Sequence, residues 1–446
     1  MDVKEILAEL FSYTQFGIKL GLGRIRLLLS ALGDPQDRFP SIHVAGTNGK
    51  GSTAAMAASI LQAAGLRVGL YTSPHLCHFS ERIRIDGRPI EGADIARHYL
   101  EIKGAWASLG KAGVEEGDPT FFELTTAMAF RHFAERRVDA AVIETGLGGR
   151  LDATNVLRPI VSVLTTISRD HEAHLGGSVS AIAREKAGIV KQGVPVVVGS
   201  LVSEAEAVVE QAARERGAEV IRLGGEFRAE SVKLTAAGGT FDWVRGGTSF
   251  SGLAVPLAGV HQVRNAAVAV AAATEAARAS GAAFDIGDPA VREGLRRVSW
   301  PGRFETLSSE PTVILDGAHN PEGICALVDT LSLLPPSERR TLVFGALADK
   351  NAGRMLAAAG PAFDRVVLVR PDSGRAADPR DLADLVPDGP EVIVRDGIDR
   401  ALAEVLDGAG PRDRIVVTGS LYLVGEARAS FRTAGRTAGA PTLPVQ

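Results

Sequence analysis

The chain is poor in several kinds of residue, and each shortage narrows what it can be. Two cysteines, Cys77 and Cys325, are too few for a disulfide framework or a four-cysteine zinc site. No apolar run reaches the roughly 18 residues that a membrane span needs. The opening MDVKEILAELF carries acids where a signal peptide needs an apolar core. These features predict a cytoplasmic protein with no membrane partner. Basic residues are not in excess: 49 stand against 53 acidic ones, a net charge of −4. A protein that coats nucleic acid is usually basic, so no nucleic-acid partner is expected. Only nine of the basic residues are lysine, and there are only nine histidines. A lysine or histidine inside a motif therefore has few bystanders.

What is present is ordinary for a globular protein: 45% hydrophobic and 23% charged residues in a chain of 446. That length predicts two or three domains, each large enough to bury a core. Short apolar strands alternate with helical segments, the α/β pattern. Strand candidates lie at 41–45, 67–72, 139–144, 160–167 and 194–199, with helices such as 53–64 and 203–216. The texture at 227–255 changes to alternation with two Gly-Gly pairs, which reads as antiparallel hairpins. An alanine-rich helix follows at 262–280. A second α/β series begins after Trp300-Pro301-Gly302, with strands at 312–315, 341–344, 365–369, 392–395 and 414–418. The expected division is a P-loop domain over 1–300, a smaller Rossmann-like domain over 301–434, and a frayed tail over 435–446.

The most informative segment is GTNGKGS at 46–52, placed between a strand and a helix. Gly46, Gly49 and Gly51 permit backbone angles that let amides turn toward phosphate oxygens. Thr47 and Asn48 complete the loop. Lys50 supplies a cation, and the helix N-terminus supplies its positive dipole end. Ser52 offers a hydroxyl to a phosphate or to magnesium. The spacing is a shorter variant of the usual P-loop, and it predicts nucleotide binding.

Other motifs accompany this loop in order along nearly the whole chain. They are YTSPHL at 71–76, TFFE at 120–123, ETGLGGRLDATN at 144–155, Asp170-His171, AREKAGI at 183–189 and HQVRNAA at 261–267. WPGRFE at 300–305, LDGAHNP at 315–321 and TGSLYLVGEAR at 418–428 complete the set. Together they closely resemble the folylpolyglutamate synthase and dihydrofolate synthase family of the ATP-dependent Mur ligases. The resemblance implies a P-loop Mur-ligase fold with a Rossmann-like C-terminal domain. It also implies a reaction. ATP phosphorylates a carboxylate of the acceptor, the amino group of L-glutamate attacks the acyl phosphate, and an amide forms. Such chemistry needs a phosphate cradle, divalent metal and a surface that orients the amine.

The resemblance also assigns residues. Ser73, Glu144 and His171 are implied Mg2+ ligands; Glu144 also reads as a strand-end acid, and Ser73 as ordinary turn chemistry. Lys186 reads alone as a surface lysine, but the family pattern places a carbamylated lysine there. Asn265, Arg303 and Asp316 are implied ATP contacts, with Arg303 on the hinge of a domain that closes over the nucleotide. His319 is a candidate to assist the amine or acyl phosphate, or a cap of the helix that follows. Ser420 is a candidate to hold glutamate, or a helix N-cap. Leu20, Gly21 and Leu22, with Thr120, Phe121, Phe122 and Glu123 and with Leu151, Asp152 and Ala153, match segments that contact dihydropteroate in bifunctional members. Phe121 or Phe122 offers a flat face to a ring, or is plain core. Asp152 binds a polar pterin edge, or is a turn aspartate. The implied partners are dihydropteroate, folates and L-glutamate, and a monomer is expected.

Competing readings fit less well. A cell-wall Mur ligase normally carries a separate domain before the loop, whereas here 45 residues precede Gly46 and read as helices packing on the core. A P-loop switch GTPase lacks a place for a second α/β domain, and no Asn-Lys-x-Asp segment for guanine is present. A nucleoside kinase fails on the same second domain. A single-function folylpolyglutamate synthase remains the nearest alternative.

Overall fold

The computed structural model describes residues 2–17, 19–281 and 283–433. The expected tail at 435–446 lies outside the described residues. The chain forms two units. The first runs through Val298 apart from 234–239 and 257–260, two short segments that cluster with the second unit, which continues from Ser299.

The first unit holds an eight-stranded sheet. Its strands are β1 (Ser41–Ala45), β2 (Val68–Tyr71), β3 (Ile83–Ile85), β4 (Arg88–Pro89), β5 (Ala140–Glu144), β6 (Val161–Leu164), β7 (Val196–Val198) and β8 (Val220–Arg222). Their spatial order is β4-β3-β2-β5-β1-β6-β7-β8. From β2 to β8 every pairing is parallel; β3 and β4 add an antiparallel edge. β1 and β5 are buried at every residue, as strands covered by helices on both faces must be. That burial explains why their sequences read as unbroken apolar runs. The edge strands span three and two residues, too short for periodicity to announce them.

Helices flank this sheet. Lys50–Ala63 is buried almost all round and packs against Asp288–Arg297. Close approach is possible because Gly294 has no side chain: a Cβ there would stand 2.4 Å from the Ile60 Cα. The expected N-terminal helices form as Val3–Ser12 and Gly23–Ala31. Their Ile6, Leu10, Ile25, Leu28 and Leu29 share one core cluster with Tyr71, Phe130 and Phe133.

The expected hairpins form a three-stranded sheet of β9 (Arg228–Thr235), β10 (Gly238–Arg245) and β11 (Thr248–Val255). Gly246 and Gly247 make the second turn, but the first falls on Ala236 and Ala237, and the other Gly-Gly pair opens β10. On β10, Trp243 stacks on Phe250 at 5.4 Å and donates Nε1–H to the Ala267 carbonyl at 3.1 Å, which ties this sheet to helix Val260–Ala279.

The second unit has a six-stranded sheet. Its strands are β12 (Glu305–Ser309), β13 (Thr312–Leu315), β14 (Arg340–Phe344), β15 (Arg365–Val369), β16 (Glu391–Arg395) and β17 (Arg414–Thr418), in the order β12-β13-β17-β14-β15-β16. All pairings are parallel except the edge pair β12–β13. Its core is separate and gathers Ile314, Leu342, Phe344, Val366, Leu368 and Val416. Among the described residues no helix is long and apolar enough to cross a membrane.

Candidate active site

In a parallel sheet the loops after the strands emerge along one edge, which is where such folds bind ligands. Four adjacent strands of the first unit, β2, β5, β1 and β6, deliver the chemical motifs to that edge. Ser73 follows β2, Glu144 ends β5, the glycine-rich loop follows β1, and His171 lies beyond β6.

The segment after β6 forms the wall of the loop. Thr47 donates its N–H to the Thr166 carbonyl at 2.6 Å, and its hydroxyl donates to the Ser168 carbonyl at 3.1 Å. The Asn48 N–H donates to Thr166 Oγ1 at 3.0 Å, and its carbonyl accepts the Thr165 hydroxyl at 2.7 Å. Gly49 adopts φ +83° at the N-cap of the helix, and a Cβ there would stand 2.4 Å from Asn265 Oδ1. Asn265 therefore sits directly against the loop, and only glycine lets it. Lys50 folds back and donates Nζ–H to the Thr47 carbonyl at 3.1 Å. Ser52 is buried in the first turn. The threonine pair was not among the expected site residues. Its signal was present as two hydroxyls directly after a parallel strand.

Lys186 is not a surface lysine. It lies on helix Val179–Ala187, is 4% exposed, and donates Nζ–H to the Gly46 carbonyl at 2.7 Å. The fold thus brings it to the phosphate loop from 140 residues away. Ser73 and Glu144 also meet: the Ser73 N–H donates to Glu144 Oε2 at 3.1 Å, and the carboxylate is buried. A buried carboxylate beside a serine turn is an oxygen donor set of the kind that magnesium prefers. His171 takes a left-handed backbone, φ +52°, before the short helix Glu172–Leu175, with its Nε2 3.9 Å from Asp170 Oδ2.

The acceptor segments join one another through contacts that the motifs did not announce. Arg24 donates Nε–H to both oxygens of the buried Glu123 at 3.1 Å, and Nη2–H to the Lys19 carbonyl at 3.0 Å. That anchors Leu20, Gly21 and Leu22 to the TFFE helix. Glu123 also accepts from Thr120 N–H and hydroxyl at 2.7 and 2.9 Å. Its carboxylate is a helix cap and an ion-pair partner at once. Phe121 stacks on Phe11 at 5.3 Å, with the Arg82 guanidinium 5.2 Å from its ring centre. Phe122 packs against Tyr71 and fills the space beside Gly146. Both phenylalanines are half-buried, so packing and an open face coexist. Nearby, burial and the Arg82 charge push His75 down to about 3, and its Nδ1 accepts from Arg82 Nε–H at 2.8 Å.

Asp152 is hydrogen-bonded within its own loop. Its Oδ2 accepts from the Gly146 and Leu147 amides at 2.9 and 2.8 Å, and its Oδ1 accepts from the Thr154 amide at 3.0 Å and from the Thr154 hydroxyl. Four donors fill a carboxylate's acceptor positions. Asp152 clamps its own loop, flanked by Leu151 and Ala153. Thr154 Oγ1 in turn lies 2.8 Å from His43 Nε2 on β1, a buried tie between the phosphate-loop strand and this loop.

In the second unit, Asp316 and His319 follow β13, and Ser420 follows β17, its parallel neighbour. Asp316 Oδ2 accepts the Phe304 amide at 2.8 Å, and the Gly317 amide donates to the Gly302 carbonyl at 2.8 Å. These bonds fasten the WPGRFE segment across the strand exit and set Arg303 against Gly317. Arg428 braces the same segment through Glu305 at 2.9 Å. The helix after His319 is capped by Asn320, whose Oδ1 accepts the Gly323 amide at 2.8 Å, so His319 is not the cap. His319 Nδ1–H donates to the Gly317 carbonyl at 2.9 Å. Ser420 holds the N-cap position of helix Leu421–Thr433, and its Oγ accepts the Tyr422 amide at 3.2 Å. Of its two expected roles, the cap is the one its geometry serves.

Residues 44–273 match the Mur ligase middle domain, and residues 302–421 match the Mur ligase glutamate ligase domain. The chain is 39% identical to a folylpolyglutamate synthase of Lacticaseibacillus casei, over 96% of this chain and 98% of that one. It is 37% identical to a dihydrofolate synthase/folylpolyglutamate synthase of Bacillus subtilis, over 93% and 95%. A solved folylpolyglutamate synthase of Mycobacterium tuberculosis, complexed with ADP and AMPPCP, superposes with a TM-score of 0.87 at 36% identity, covering 96% of this chain and 99% of that one.

Proposed function

Since the chain belongs to the folylpolyglutamate synthase and dihydrofolate synthase family of Mur ligases, we propose that it is an ATP-dependent ligase that adds L-glutamate to dihydropteroate and to reduced folates. The observation that carries this reading is the junction at the strand exits: the glycine-rich loop, Lys186 and Asn265 in contact, with Glu144 at the end of the adjacent strand β5 and Ser73 after the next strand, β2. A phosphate cradle next to a buried carboxylate suits transfer of a phosphoryl group to an acid.

In this reading Gly46, Thr47, Asn48, Gly49, Gly51 and Ser52 cradle the ATP phosphates, and Lys50 turns its ammonium from the Thr47 carbonyl to the phosphates. Asn265, Arg303 and Asp316 contact the nucleotide. Ser73, Glu144 and His171 would hold Mg2+, which offsets phosphate charge when bound. His319 orients the incoming amine. Arg24 and Glu123 fix the segments that shape the acceptor pocket. The two domains are the ATP-binding part, 1–300, and the glutamate-ligase part, 301–434. The protein acts as a cytoplasmic monomer. Carbamylation of Lys186 belongs to the same reading: its nitrogen adds carbon dioxide, releases a proton, and becomes an anion beside the phosphate loop. Intact mass under bicarbonate tests it, and an unmodified lysine at that site would remove it.

One assay matrix tests the whole. ATP and glutamate are offered with dihydropteroate, then with tetrahydrofolate, and products are read by mass. The expected result is one added glutamate in both arms, with phosphate release that needs acceptor and glutamate together. Product in the tetrahydrofolate arm alone marks a single-function synthase. Product in neither arm defeats the proposal.

A further inference from the structure

The wall behind the phosphate loop is built as a clamp. β1 pairs with β6 in parallel, and the pairing runs on past the ends of both strands. The Thr165 N–H donates to the Ala45 carbonyl at 2.9 Å, and the Thr47 N–H donates to the Thr166 carbonyl at 2.6 Å. The first half of the loop therefore continues the sheet. The turn into the helix comes only at Gly49, with its φ of +83°.

The hydroxyls complete the clamp, and their protons balance. Thr166 Oγ1 accepts the Asn48 N–H at 3.0 Å and donates to the Asn48 carbonyl at 3.1 Å. Thr165 Oγ1 donates to the same carbonyl at 2.7 Å. A carbonyl oxygen has two lone pairs, so both bonds fit. Two adjacent hydroxyls thus hold the N–H and the C=O of one loop residue. Thr47 Oγ1 donates to the Ser168 carbonyl at 3.1 Å and accepts the Ser168 N–H at 3.1 Å. Packing leaves the segment no room to slide. A Cβ on Gly46 would stand 1.9 Å from Thr165 Oγ1, and a Cβ on Gly199 would stand 2.1 Å from the Thr165 carbonyl oxygen.

The clamp has consequences on both sides. On one side, Asn48 leads through Gly49 into helix Lys50–Ala63. The first N–H groups of a helix have no partner within it, and they are what a phosphate meets. Their aim depends on the backbone just before them, which the threonines fix. On the other side, the clamped segment runs from Ser168 to His171 in three residues. His171 has φ +52° and donates its N–H to Asp170 Oδ1 at 2.8 Å. A left-handed histidine costs energy and persists only where its surroundings hold it.

We propose that Thr166, supported by Thr165, is a positioning residue of the ligase. Its hydroxyl fixes the Asn48 backbone, so that the phosphate loop and the segment carrying His171 stand in one register before nucleotide arrives. Thr166 acts through Asn48 and not on the reacting atoms. The inference rests on the reading of 46–52 as the ATP cradle and of His171 as an Mg2+ ligand.

The test is ADP binding by calorimetry, with and without Mg2+, for the parent, Thr166→Val and Thr166→Ser. Valine keeps the shape at this half-buried position and removes the hydroxyl; serine keeps the hydroxyl. Thr166→Val leaves the Asn48 N–H without this acceptor, and ADP affinity is expected to fall at least about fivefold. The gain in affinity that Mg2+ brings should shrink as well. In turnover, the KM for ATP should rise while the KM for glutamate stays, a split that general loss of structure would not produce. Thr166→Ser should bind ADP within about twofold of the parent, since the hydrogen bonds remain. No ADP binding by the parent would defeat the cradle reading and the clamp together. With the parent binding ADP, equal or tighter binding by Thr166→Val, or a Thr166→Ser protein as weak as the valine variant, would overturn the clamp alone. An undiminished Mg2+ gain in Thr166→Val would overturn its link to His171.

Discussion

Replacing Asp152 by asparagine tests whether that side chain serves the loop or the substrate. The substitution keeps shape and turns one carboxylate oxygen into an NH2 group. That group would face two donors, either the Gly146 and Leu147 amides or the Thr154 amide and hydroxyl. Two of four hydrogen bonds are lost, each worth about 1.5–3 kcal/mol when the acceptor is charged. The gross loss is about 3–6 kcal/mol. Part is returned, because burial raises the Asp152 pKa even against the bonds from Thr154, Leu147 and Gly146. The buried charge therefore has its own cost, which asparagine removes. A net destabilisation of about 2–4 kcal/mol is expected. The assay is done without substrate. Heat unfolding is followed by circular dichroism, and hydrogen exchange is followed at the Gly146, Leu147 and Thr154 amides. A loop clamp predicts a lower unfolding midpoint and faster exchange at all three. Stability within about 0.5 kcal/mol of the parent, with unchanged exchange and only the acceptor KM raised, would refute the clamp and put the carboxylate on the pterin.

Three further outcomes are expected. Lys50→Ala should abolish turnover while the far-ultraviolet circular dichroism stays unchanged; near-normal activity would remove Lys50 from the cradle. Arg24→Ala leaves the 3%-exposed Glu123 without its ionic partner, a loss of about 3–5 kcal/mol for a buried pair; the unfolding midpoint should fall and the acceptor KM rise, and a variant matching the parent in both would contradict the anchoring role. Acidification should destabilise the fold through its buried histidines. Burial, with a smaller part from the Lys191 charge, pushes His43 from 6.5 to about 3, and His132 falls to about 4. Below pH 6.5 the unfolded chain takes up protons that these folded rings refuse, so stability is full above that pH and declines as pH falls toward 4. The slope is at most about 1.4 kcal/mol per pH unit for each ring. His43→Gln should flatten that slope in unfolding midpoints measured from pH 7 to 5, and an unchanged slope would discount His43.

The strands buried on both faces were the easiest parts to read. Ser41–Ala45, Thr312–Leu315, Arg365–Val369 and Arg414–Thr418 fall where the apolar runs place them. The strands that escaped notice lie at the sheet margins: Ile83–Ile85, Arg88–Pro89, Val220–Arg222 and Glu305–Ser309. Marginal strands bury less of their length, so they need no continuous apolar run. The helix from Lys50 begins three residues before its expected start, because Gly49 supplies the left-handed turn and Lys50 enters the helix directly.

The sequence by itself determined the α/β class, the glycine-rich loop, the ordered motifs and hence the family, since backbone freedom, charge and spacing are local properties. Tertiary structure decided which partners a side chain meets. Asp152 bonds the Gly146 and Leu147 amides, and Ser420 bonds the Tyr422 amide. Lys186 reads as a surface residue when taken alone and as a site residue by family pattern, and the fold sets it on the Gly46 carbonyl. Arg24 on Glu123, Thr165 and Thr166 behind the loop, and the pairing of His98 with His132 depend on contacts between distant segments. A hydrogen bond needs an approach of about 3 Å, and residues far apart in the chain acquire that distance only once the sheets and helices have packed.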